Sequence, residues 1–252
     1  MIRHVLILVT NDDGVHAAGL EALRKALNPI GEVIAVAPDR EQSATSHSLT
    51  LDHPLRVNPV EESVLSVDGT PTDCVLLAFN GLLKEKPQLV VAGINHGPNL
   101  GEDVSYSGTV AAAIEGTLQG VPSIAVSLAG KPPYHFSTSC HFAVRLVRLV
   151  ISKGMNSRTL LNVNVPNLPQ DNVRSVKITK LGKRLYKDLI VEKTDPRGKT
   201  YYWIGGNEPS WKPGENTDFS AIQAGMVSVT PLHLDLTDYK KIVEMEGWNL
   251  EP

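Results

Sequence analysis

The sequence predicts an α/β fold built on a doubly wound, mostly parallel sheet. Three observations predict it. Continuous apolar runs of strand length, at residues 5–9 and 89–94, lack the alternation of a strand with one wet face, as expected of strands covered on both sides. Between the runs, apolar residues recur at helical spacing, so strands and helices alternate. Polar, glycine-bearing loops follow directly on several runs, where ligands bind in open parallel sheets.

Taken in order, residues 5–9 form the first strand, and Leu20, Leu23, Ala26 and Leu27 give the first helix its apolar face. Residues 33–36 form a second strand ended by Pro38, and 64–67 a third. A helix over 74–83 precedes the strand at 89–94. A helix over 110–118, a strand over 123–128, an amphipathic helix over 142–151 and a strand over 160–165, stopped by Pro166, complete a Rossmann-like core.

After Pro166 the pattern changes to short alternating strands between 173 and 229, such as Val176-Lys177-Ile178-Thr179-Lys180. Tyr201-Tyr202-Trp203-Ile204 lies between the turn Asp195-Pro196-Arg197-Gly198 and Gly205-Gly206, which reads as a β-hairpin. Such an aromatic hairpin has little local core, so it is expected to extend to a partner subunit; packing on its own domain is the alternative. Residues 239–245 read as a short helix. The expected organisation is one domain over 1–252, with its core at about 1–166 and a C-terminal part with the hairpin arm at about 167–252.

A chain of 252 residues can bury its core without disulfides. The net charge is −3, and no basic run exceeds two residues. This argues against a stable nucleic-acid partner and against a membrane surface. Cys74 and Cys140 both neighbour apolar residues and are expected as buried reduced thiols. The first apolar run is too short for a signal sequence or a membrane span, so a cytoplasmic location is expected.

Four segments carry chemistry. Asn11-Asp12-Asp13-Gly14 follows the first strand. Two carboxylates so close raise one another's pKa unless a cation neutralises them, and Mg²⁺ or Mn²⁺ with oxygen ligands does so. A helix cap or a turn is the alternative. Ala37-Pro38-Asp39-Arg40-Glu41-Gln42-Ser43 follows the second strand; Ser43 offers a hard hydroxyl ligand, and Arg40 offers a positive charge for an anion. Gly93-Ile94-Asn95-His96-Gly97-Pro98-Asn99 follows another strand, with Asn95 placed to aim its amide at the same pocket. His96 there is either a proton shuttle or a loop anchor. Ser107, Gly108 and Thr109 open a helix, where free N–H groups can cradle a phosphate. The convergence of these loops gives a metal beside a phosphate site, and so metal-assisted phosphoester hydrolysis. No Gly-x-Gly-x-x-Gly, Walker, His-Glu-x-x-His or Gly-x-Ser-x-Gly motif is present.

Asn11 through Ala17, Ala37-Pro38-Asp39-Arg40 with Ser43, residues 67–75, Gly93-Ile94-Asn95 and residues 106–112 together resemble the survival protein E (SurE) family. The resemblance spans about the first 130 residues. It implies a nucleotidase acting on nucleoside 5′- and 3′-monophosphates, with one divalent metal ion (Mg²⁺ or Mn²⁺) per subunit, as a homodimer or homotetramer joined partly through an exchanged C-terminal arm. Position by position, it implies metal ligands at Asp12, Asp13, Ser43 and Asn95, a catalytic part for Asn11 with the two aspartates, and phosphate contacts at Asn11, Asn95, Ser107, Gly108 and Thr109. Ala18 departs from the family, which often has Pro there, and His96 lies at a variable position. Two other readings stay open at this point. One is an aspartyl-phosphate phosphatase, which normally has Asp-x-Asp. The other is a non-catalytic nucleotide- or phosphate-binding regulator.

Overall fold

In the computed structural model, which describes residues 5–156, 158–185, 190–205 and 210–248, the chain enters on a fully buried strand, β1 (Leu6–Thr10). Helix α1 (Ala18–Leu27) turns Leu20, Leu23 and Leu27 inward, each contributing about 1.5–3 kcal/mol by leaving water. β2 (Glu32–Pro38) pairs in parallel with β1. β3 (Val57–Glu61) and β4 (Val64–Val67) then form an antiparallel pair. The apolar pattern does not foretell β3, because it is an exposed edge strand and holds Pro59, which edges tolerate.

Helix α2 (Pro71–Leu77) starts earlier than the apolar spacing suggests. Thr70 accepts from the Asp73 N–H at 3.1 Å, and Asp73 accepts from the Thr70 N–H at 2.8 Å, a capping box. β5 (Leu89–His96), α3 (Gly108–Leu118), β6 (Ser123–Ala129), α4 (Phe136–Lys153) and β7 (Thr159–Pro166) follow. α4 also starts early, because Thr138 and Ser139 in its first turns are buried although polar.

Beyond β7 come β8 (Val176–Ile178), β9 (Arg184–Leu185), β10 (Ile190–Thr194), β11 (Thr200–Ile204), β12 (Ser210–Trp211), α5 (Asp218–Gln223), β13 (Val227–His233) and α6 (Tyr239–Met245). β10 and β11 form the expected hairpin, with Lys193 opposite Tyr201. All five residues of β11 are exposed. Gly206, the second of the glycines expected to bound the aromatic run, lies outside the described residues.

The main sheet has the order β3-β4-β2-β1-β5-β6-β7-β13-β8. From β4 to β7 all neighbours are parallel, while β13 is antiparallel to β7. One apolar core contains α1 and α4, and a second, on the other face, contains α2 and α3. The fold is therefore α/β with a mixed, mostly parallel sheet. The chain's progression across the sheet reverses between β1 and β5, and that reversal opens a crevice at the strands' carboxyl ends.

Candidate active site

The acidic pair stands in that crevice. After β1, the Asn11 side chain donates to the Gly14 carbonyl at 3.0 Å and fixes the turn. Gly14 has φ 101°, and a Cβ there would lie 3.2 Å from the Arg40 backbone, so a glycine lets the loops after β1 and β2 touch. Val15 N–H donates to the Pro38 carbonyl and Gln42 N–H to the Asp12 carbonyl, both at 2.7 Å. The Ser43 loop is thereby tied to the Asp12 turn.

Asp12 is 5% exposed and accepts the Thr109 hydroxyl at Oδ1. Asp13 accepts the His96 N–H at 3.2 Å and faces His96 Nδ1 at 3.4 Å. Burial raises the Asp12 carboxyl above its ordinary range, against the opposing Thr109 bond. Burial also pushes Asp13 up to about 6; His96 opposes this and the neighbouring Asp12 adds to it.

Asn95 comes from the end of β5, where the register with β6 slips between Gly93 and Asn95, a bulge of the kind that re-aims side chains. Its Nδ2 donates to the Gly97 carbonyl at 2.9 Å, which leaves Oδ1 as the acceptor end. Ser43 donates its hydroxyl to Glu41 at 2.7 Å. Ser107 caps α3, accepting from the Val110 N–H at 3.0 Å. The Gly108 and Thr109 N–H groups ahead of Val110 have no partner within the helix.

Asp12, Asp13, Ser43, Asn95 and Ser107 line one pocket of about 830 Å³, together with Glu41, His96, Asn99 and Tyr106. On its far side stand Asp103, paired with Arg184 at 2.6 Å, and Ile204 with Gly205 at the end of β11. Three expected residues lie behind the wall. Asn11 and Thr109 are fully buried, with side chains engaged on Gly14 and Asp12, and Gly108 packs against Asp12. Arg40 does not reach the pocket: its side chain is 65% exposed and pairs with Asp39 at 3.2 Å. His96 lines the same pocket and stacks on Tyr134 with centroids 5.2 Å apart.

Several neighbours escape sequence reasoning. Asn99 gives its backbone N–H to Asn164 and its side chain to Ser127, both at 2.8 Å. Asn162 and Asn164 return amide bonds to the Asn99 carbonyl at 2.8 and 2.9 Å. The signal available was two asparagines at period two in a buried strand. Cys74 and Cys140 are buried and free, as expected. Among the described residues no three His, Cys, Asp or Glu side chains gather as for a metal, so the donor set available at this pocket combines two carboxylates with a hydroxyl and an amide.

The family model described as Survival protein SurE matches residues 7–188. A protein of Geobacter sulfurreducens named 5′-nucleotidase SurE is 54% identical over 245 residues, covering 97% of this chain and 94% of its own. A protein of the same name from Geotalea daltonii is 52% identical, covering 97% and 99%. The crystal structure of the Sure protein from Aquifex aeolicus matches with a TM-score of 0.87 at 46% identity, over 96% of this chain and 98% of that one.

Proposed function

The chain belongs to the survival protein SurE family, and from that premise we propose that it is a 5′-nucleotidase. It hydrolyses nucleoside 5′-monophosphates to nucleoside and phosphate with the help of a divalent metal, and accepts 3′-monophosphates at the same site. The observation that carries this reading is the meeting of Asp12, Asp13, Ser43 and Asn95 in one pocket with Ser107, the cap of α3.

The residues fit a hard divalent ion. Carboxylate, hydroxyl and amide oxygens are its preferred donors, and two carboxyls raised by burial, Asp13 also by Asp12 and both by Glu41, are what a cation relieves. Asp12, Asp13, Ser43 and Asn95 would hold one Mg²⁺ or Mn²⁺ per subunit. When bound, the ion supplies positive charge against the phosphoryl oxygens and makes water more acidic.

The chain's own groups do the positioning. The Ser107 hydroxyl, on the pocket wall at the positive end of α3, binds phosphoryl oxygens where charge builds during in-line attack, with Gly108 and Thr109 behind it as the helix start that supplies the positive end. The Thr109 hydroxyl orients Asp12, the His96 N–H orients Asp13, and Asn11 sets the turn that carries both. With one oxygen of Asp12 engaged by Thr109, the pair suits ligation better than covalent attack.

The exposed β11 and the exposed Tyr239, Val243 and Trp248 around α6 support self-association into a dimer or tetramer through the C-terminal part. Among the described residues no helix is long and apolar enough to cross a membrane, and we place the enzyme in the cytoplasm.

The test is phosphate release from a panel of nucleoside monophosphates, with Mn²⁺ and with EDTA. Release that needs the metal, and that is lost in Asp12→Asn and Asp13→Asn, is the expected result. No release from any monophosphate would favour a binding protein, and full turnover by either variant would overturn the ligand assignment.

A further inference from the structure

The loop that carries Ser43 runs without regular structure from the end of β2 to β3. Just beyond Ser43 two non-glycine residues take left-handed backbone angles, Ala44 at φ 59° and Ser46 at φ 54°. Such residues persist only where their surroundings impose them. One imposed contact comes from α3, two turns beyond the phosphate-facing end. Glu115 is 6% exposed, in a helix whose preceding turn is Val110-Ala111-Ala112-Ala113. A carboxylate buried there costs free energy unless it is bonded. It is bonded on both oxygens: Gln119 donates at 2.8 Å, and His47 Nε2 meets the other at 3.0 Å. Ser46 N–H also donates to the Tyr106 carbonyl at 3.1 Å, beside the Ser107 cap.

We infer that the His47–Glu115 contact is a clamp through which α3 sets the position of Ser43, making His47 a positioning residue for the metal although it lies outside the pocket. The same helix holds Asp12 through Thr109. One rigid element therefore fixes two of the four donors and presents the phosphate-binding end. Partners that orient metal ligands in this way typically control affinity by about 10–100-fold. The inference rests on the metal-site reading above.

The experiment is Mn²⁺ binding to the full chain, read by the electron paramagnetic resonance signal of free Mn²⁺, without nucleotide. His47→Ala should weaken Mn²⁺ by about tenfold or more. His47→Gln keeps a donor toward Glu115 and should restore most of the loss, while Glu115→Gln should fall between. In turnover at saturating Mn²⁺, the KM for the nucleotide should stay within about twofold of wild type, so that the defect reads as metal affinity. Thermal unfolding in EDTA should drop for His47→Ala, which strips the Glu115 carboxylate of a partner, and stay near wild type for His47→Gln, and the Mn²⁺ titrations are run where every variant is folded. Wild-type affinity in His47→Ala, or equal loss in His47→Ala and His47→Gln, would overturn the clamp and leave the metal site standing. Absence of Mn²⁺ binding by the wild type would overturn both.

Discussion

A Cβ on Gly108 would lie 2.8 Å from the Cβ of Asp12 and 3.0 Å from its Oδ2. The first residue of α3 therefore leans on the acid it faces. Gly108→Ala should push Asp12 or the helix start aside. Misplacement on the order of 1 Å at a reacting centre costs about a hundredfold, so kcat/KM should fall by about that factor, with about 1–3 kcal/mol lost in stability from overpacking. Steady-state kinetics and urea unfolding of one preparation measure both, and unchanged kinetics would show that the contact does not matter.

Thr109 gives Asp12 its one hydroxyl partner. Thr109→Val keeps the shape and removes the bond. Metal affinity should drop by about tenfold or more, while Thr109→Ser should stay near wild type. Mn²⁺ titration of the three proteins separates loss of the bond from loss of volume, and equal affinities for Val and Ser would refute the orienting role.

Burial, opposed by His96 and aided by Asp12, holds Asp13 at about 6 in the folded, metal-free chain, above its ordinary 3.8. Asp12 is raised in the same direction. A raised group binds its proton more tightly when folded, so its stabilising effect is complete below the unfolded value and is lost as pH rises through the folded one. In EDTA, Tm should therefore carry a component that declines between about pH 4 and 7. Asp13→Asn should flatten that component, and Mn²⁺ should reverse it near neutrality, since ligands bind metal deprotonated. A Tm in EDTA that rises across this window equally in wild type and Asp13→Asn would contradict the assignment.

Asp218 is fully buried and accepts N–H groups from Gly101 at 2.7 Å, Gly182 at 2.8 Å and Phe219 at 2.7 Å. It ties the loop after β5 to the C-terminal segment. Asp218→Ala strands these donors and should cost about 3 kcal/mol or more. Denaturant unfolding reads this directly; a cost under about 1 kcal/mol would mean that water takes over the bonds.

Much of the candidate pocket's lining is legible in the sequence because it is local. Asp12 and Asp13 are adjacent and follow a strand with no polar residue before Thr10, so their placement at a strand end follows from pattern alone. Ser43, Asn95 and Ser107 lie in loops after recognisable strands. What stayed hidden was pairing over long separations. His47 meets Glu115 across 68 residues, and Asn99 meets Asn164 across 65; no periodicity carries such information. The burial of Asn11 and Thr109 was hidden for a related reason: polarity suggests a face on the pocket, whereas both are spent on holding neighbours. β3 has no apolar signature because it is an exposed edge strand, and the apolar spacing of α4 begins late because its first buried turns are polar.

The asparagine frame beneath the pocket has a consequence of its own. Asn99, Asn162 and Asn164 hold the Asn99 part of the loop after β5 with amide groups, backbone and the Ser127 hydroxyl, and neither amides nor a serine hydroxyl ionise across the working range of an enzyme. That support is thus insensitive to proton concentration. A pH–rate profile of this enzyme will register its buried acids and the substrate's own phosphate, against a background that does not move with them.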